Sequence, residues 1–147
     1  MIGQLHLLQQ LYSEIVLPQA VYQEVVEEGR HRPGFSEVLD ADWISTKDVS
    51  NENLSKVLAM NLGKGEAEAI ALATDLEAEL LLIDERKGRK IASKLGIDVV
   101  GVLGVLVEAK HKGLVDELRP LLDELLHEAG FRMGSALYHK VLETVGE

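Results

Sequence analysis

The chain has 147 residues, 46% hydrophobic and 27% charged, which fits a single globular domain over residues 1–147 with one substantial core. Its 4% aromatic content argues against a base-stacking sheet and its net charge of −10 against a broad duplex-binding face, while the absence of cysteine removes disulfides, thiolate zinc sites and thiol nucleophiles. No run approaches the roughly 20 apolar residues of a membrane span, and the first residues lack the plan of a signal peptide, so a cytoplasmic protein with no membrane partner is expected.

The stripe Leu5, Leu8, Leu11 predicts a short amphipathic helix over Ile2 to Tyr12. Glu14 to Leu17 reads as a brief strand, and Pro18 suits the first turn of a helix over about Gln19 to Glu28, which Gly29 ends. A loop follows from Arg30 to Gly34, then a short helix over Phe35 to Leu39, an edge strand at Trp43 to Thr46, and a helix over Asn51 to Met60 capped by Ser50 or Asn51. The alanine-rich segment from Glu66 to Glu77 predicts a helix that packs closely on a sheet.

Leu80 to Ile83 is a continuous apolar run, expected of a strand covered on both faces, and Asp98 to Val102 is a second one. Between them Arg86 to Leu95 reads as a helix stopped by Gly96. Such alternation predicts parallel βαβ units. The rest reads as helices over Leu103 to Lys112, Asp116 to His127 and Ser135 to Thr144.

Glu66 and Asp84 stand eighteen residues apart. A helix from Glu66 descends roughly 18 Å, and the strand to Ile83 climbs back about 17 Å, so both acids finish at one end of the sheet. In open α/β sheets ligands bind beyond the carboxyl ends of the strands, and paired carboxylates there suit a hard cation. Each acid also has a plain structural reading: Glu66 lies where the helix dipole favours any acid, and Asp84 can cap the next helix. Glu68, about 200° around the helix from Glu66, is the weaker candidate. Glu85 is either a partner of Asp84 or an exposed acid.

Glu24 lies early in a helix that follows a strand and can face the same cleft, though periodicity alone does not single it out from Glu27 and Glu28. Arg86, Lys87, Arg89, Lys90 and Lys94 form a basic run whose plain reading is a solvated helix face. The glycines at 63 and 65 flank a lysine without the rest of a Walker pattern. The five histidines have neither metal-ligand spacing nor a serine-acid pattern, and a surface position is expected for most of them.

With Gly65-Glu66-Ala67-Glu68-Ala69-Ile70, Leu82-Ile83-Asp84, Ile15-Val16-Leu17-Pro18 and Val21-Tyr22-Gln23-Glu24-Val25 in this order, the sequence resembles PIN domains. It is similar to a prokaryotic branch related to VapC-type toxins, over about Ile2 to Leu142, including Gly101 to Leu106 and Gly130-Phe131-Arg132. The resemblance implies an α/β fold, a three-layer α/β/α sandwich with a mainly parallel sheet. It also implies an acidic cleft for Mg²⁺ or Mn²⁺, endoribonuclease chemistry leaving a free 3′-hydroxyl, and RNA and an antitoxin protein as partners. Residue by residue, Glu24, Glu66 and Asp84 match the family's acids and would be catalytic as metal ligands. A catalytically degenerate module that binds RNA or protein is the alternative.

PIN domains begin with a short apolar strand that ends in aspartate and lies in the middle of the sheet. Here a helix is expected directly after Met1, so the first strand and its aspartate are expected to be missing from this sequence: either the start is assigned too late or both strand and acid have been lost. A lost central strand leaves backbone groups unpaired, so rearrangement or subunit contact is expected to compensate. Leucine-rich terminal helices likewise predict a homodimer.

Overall fold

The computed structural model describes residues 4–30, 32 and 34–147. It is an α/β protein whose strands pair in parallel, and the chain divides into two compact units, Glu14–Val102 and a second made of residues 4–13 with Leu103–Glu147. The expected helix start at Ile2, and His31 and Pro33 of the expected loop, lie outside the described residues. Among the described residues, no helix is long and apolar enough to cross a membrane.

In the Glu14–Val102 unit, strand β1 (Ile15–Pro18) pairs with β2 (Ile44–Lys47), Ile15 opposite Ile44 and Pro18 opposite Lys47. Pro18, which has no N–H to give, takes the last strand position and leads into α2 (Gln19–Tyr22). The helix expected to run unbroken to Glu28 instead widens into a π-helical segment, Gln23–Glu27, closed by the Glu28 amide donating to the Gln23 carbonyl at 2.8 Å. That wider turn resets the phase of the side chains on it, Glu24 included. Helix α3 (Phe35–Asp40) precedes β2, and α4 (Glu52–Leu58) follows it, capped by the Asn51 Oδ1, which accepts from the Leu54 amide at 3.1 Å.

Helix α5 (Lys64–Leu76) is the centre of this unit. Ala67, Ile70, Ala71, Leu72 and Ala73 are all buried on it, because methyl-sized side chains let its backbone approach its neighbours. It packs against α2, α4 and α6 and against both β1 and β3 (Leu81–Leu82). Leu58, Leu62, Ile70, Leu81, Ile83 and Ala92 form a core with it. Strand β3 pairs with β4 (Val99–Val100), and α6 (Arg86–Lys94) joins them, giving the expected βαβ crossover.

Two expectations for these strands are corrected. Leu82, Val99 and Val100 are half-buried rather than covered on both faces, and each ladder of this pair is only two residues long. The described strands form two separate two-stranded sheets, β1 with β2 and β3 with β4, rather than one continuous sheet. Both stand against α5, so β1 and β3 each have one strand partner where the centre strand of a continuous sheet would have two.

The second unit is helical: α1 (His6–Tyr12), most of α7 (Val102–His111), α8 (Arg119–His127) and α9 (Ser135–Thr144). Leu7, Leu118, Leu122 and Leu142 are its most buried large side chains. Tyr12 donates to Glu108 Oε2 at 3.2 Å, and burial followed by the Glu108 charge and hydrogen bond pushes its hydroxyl up to about 12. The Glu147 carboxylate accepts from the Leu118 and Arg119 amides at 2.6 and 3.2 Å and stands 3.7 Å from Lys110 Nζ.

Candidate active site

Three glutamates lie around the first turn of α5, where it packs against α2. Gly65 makes this possible: it is buried, and a Cβ there would stand 3.0 Å from Glu24 Oε1 and 3.4 Å from a Val21 methyl. The missing side chain is the space that the Glu24 carboxylate uses. Glu66 Oε2 turns back over Gly63, against the point where a Cβ on that residue would stand. Glu68 extends the other way, and its Oε1 accepts from the Ala20 amide at 3.1 Å, at the start of α2. Glu66 and Glu68 leave α5 on different sides, as their spacing requires, yet both reach the charge field of Glu24.

Glu24 registers that crowding. Burial first, then the charges of Glu66, Glu28 and Glu68, push its carboxyl above the usual carboxylate range. The folded protein therefore holds this proton more tightly than the unfolded chain does. The stability that follows is present below the unfolded pKa and is lost as pH rises through the folded one. Glu24→Gln is expected to be more stable than the parent at pH 7 and to lose that advantage by about pH 4, near the ordinary carboxylate value. Glu24 is solvent-exposed, so screening keeps the gain small; thermal melts at the two pH values test it. A gain of equal size at both would show that charge crowding is not its source.

Asp84 stands apart from this group. It is exposed just beyond β3, and its Oδ1 accepts from the Val102 amide at 2.9 Å. It is not among the charges that act on Glu24, and among the described residues no three His, Asp or Glu side chains stand close enough together to hold one metal ion. Of the three acids singled out in the sequence, the structure thus brings Glu24 and Glu66 together and holds Asp84 at the β3–β4 end. The cap of α6 is Glu85, which accepts from the Lys87 and Gly88 amides at 3.1 and 2.6 Å, so Asp84 is left free of that role.

Sequence reasoning did not find the bond between Glu68 and the Ala20 amide, because angular position on one helix says nothing of the neighbouring helix that the side chain reaches. It also passed over Gly101. That residue is buried, and a Cβ on it would lie 2.6 Å from Asp84 Oδ1 and 3.1 Å from Arg89 Nη1. The signal available was a glycine directly after the apolar pair Val99-Val100, where a strand end comes close to another chain segment.

No match is found among curated proteins or among solved structures. A family model described as a PIN domain does match, over residues 1–147. Parallel strand pairs about an alanine-rich helix, with acids at the opening of that helix and beyond β3, thus belong to a recognised domain family, and the chain is a member of the PIN domain family.

Proposed function

We propose that this protein is a metal-dependent endoribonuclease of the VapC toxin type, with Glu24, Glu66 and Asp84 as metal ligands. The observation that carries the reading is the Glu24 carboxylate seated against Gly65, raised by burial first and then by the charges of Glu66, Glu28 and Glu68, in a chain of the PIN family. PIN domains generally depend on a divalent metal. By chemistry the three donors suit one, since all are carboxylates, which Mg²⁺ and Mn²⁺ prefer; by geometry they do not yet form a single site, because among the described residues no three acids stand close enough to hold one ion. When bound, such an ion makes a water more acidic and stabilises charge developing on the scissile phosphate. The chain's own part is to seat Glu24 beside the Gly65 backbone and Glu66 over Gly63, and to orient Asp84 through the Val102 N–H.

Incubation of single-stranded RNA with the protein and Mg²⁺ or Mn²⁺ should give fragments ending in a free 3′-hydroxyl, and chelation by EDTA should abolish them. Cleavage that survives EDTA would overturn the metal-dependent reading. A second reading is favoured by the separation of Asp84 from the other two acids: a degenerate PIN-like module that binds RNA or protein without cutting. RNA binding without cleavage in either metal would select it. An antitoxin protein and a second copy of the chain are the proposed protein partners. The exposed Leu137 on α9 is one apolar contribution to the dimer, and a monomer by light scattering at micromolar concentration would remove that partner.

A further inference from the structure

We infer that Arg89 is a substrate-binding residue that holds a backbone phosphate of single-stranded RNA on the solvent side of Asp84, its guanidinium brought there by the bare backbone of Gly101. The inference deepens the nuclease reading and rests on it. The guanidinium and the carboxylate converge on the same backbone position: Asp84 Oδ1 and Arg89 Nη1 are 2.6 and 3.1 Å from the point a Gly101 Cβ would occupy. They do not close on each other. Among the described residues the ion pairs within 4 Å are Lys110 with Glu147 and Lys112 with Glu108, and Asp84 takes its hydrogen bond from Val102. Arg89 is exposed, and its guanidinium keeps its donors available for an anion.

The surroundings assign this role to the side chain rather than to backbone. The amides of Lys87 and Gly88 at the start of α6 are already taken by Glu85. Gly88 is buried, and a Cβ there would come within 2.6 Å of Ile83 Cδ1, so the first turn of α6 is seated against the end of β3. Arg89, in the next turn position, is thereby held at the Asp84 end of the strand, with its amide donating to the Glu85 carbonyl at 3.0 Å. A phosphodiester approaching Asp84 meets a like charge. A guanidinium on the same side of Gly101 offsets that repulsion, and its planar fork matches two phosphate oxygens as an ammonium does not.

The test is fluorescence anisotropy of a labelled single-stranded RNA across a salt series in EDTA, with wild type, Arg89→Ala, Arg89→Lys and Lys94→Ala. Arg89→Ala is expected to weaken binding about tenfold and to reduce the slope of log K against log salt by about 0.7, the loss of one single-strand phosphate contact. Arg89→Lys should recover the slope but not the full affinity. Lys94→Ala, at the far end of the same helix, should change neither. Unchanged affinity and slope in both Arg89 variants would overturn the inference and leave the nuclease reading standing. An equal loss in Lys94→Ala would also overturn it, by showing a diffuse basic face. No RNA binding or cleavage by wild type would remove the nuclease reading and the inference together. Should Arg89→Ala fail to fold, Arg89→Lys decides by its affinity alone.

Discussion

Asp84→Asn is expected to lower metal-dependent RNA cleavage on the order of 100-fold or more while leaving the protein folded. The substitution suits the site because the side chain has two separable duties. Its Oδ1 accepts from the Val102 amide at 2.9 Å, and an asparagine oxygen accepts the same bond. What asparagine lacks is the negative charge that makes a carboxylate a much stronger ligand for a divalent cation than a neutral amide. Asp84 is exposed and belongs to no ion pair among the described residues, so nothing in the core depends on that charge. Circular dichroism and the melting temperature should therefore match wild type while the cleavage rate falls. Equal cleavage rates in the two proteins would take Asp84 out of the site. Glu66→Gln is the companion measurement: if it abolishes cleavage and Asp84→Asn does not, the chemistry belongs to the three glutamates alone.

How far the site was legible depends on which interactions set each part of it. The alanine-rich run around Ile70 had to be a buried helix, since both its composition and its period point inward, and α5 is found within two residues of that reading. The helix-and-strand arithmetic carried Glu66 and Asp84 to one end of the sheet, but it measures height alone. Lateral position is set by what lies between the strands, and here β1 and β3 belong to different ladders. The π-helical turn at Gln23–Glu27 was invisible in the sequence, because Gln23-Glu24-Val25-Val26-Glu27 satisfies the pattern of an ordinary helix. Its consequence falls on the candidate site, since it governs where Glu24 points. Gly65 and Gly101 share a further lesson: each glycine marks a site residue by the space it vacates, and that space becomes visible only when the carboxylate using it is in place.

Gly29→Ala should destabilise the Glu14–Val102 unit by about 3 kcal/mol, the upper end of ordinary overpacking costs. Gly29 is buried directly after the π-helical segment. A Cβ there would fall against the Val25 carbonyl oxygen, 2.9 Å from the Glu24 carbonyl oxygen and 3.1 Å from the Val25 carbonyl carbon. All three are backbone atoms, so no side-chain rotation relieves the clash and the turn itself must open. The expected signature is a melting temperature lower by roughly 10 °C. Gly113→Ala is the contrast: Gly113 has φ +75° with nothing near a Cβ, so its cost is left-handed backbone strain alone, about 1 kcal/mol. Because the clash involves the Glu24 carbonyl, the same variant should displace Glu24 from Gly65 and, at the proposed metal site, give a smaller shift of the melting temperature on adding Mn²⁺ than wild type does. A melting temperature within 2 °C of wild type would show that the turn relaxes freely. The π-helical segment would then be too soft to aim the Glu24 carboxylate, and the packing around Gly65 would have to do so.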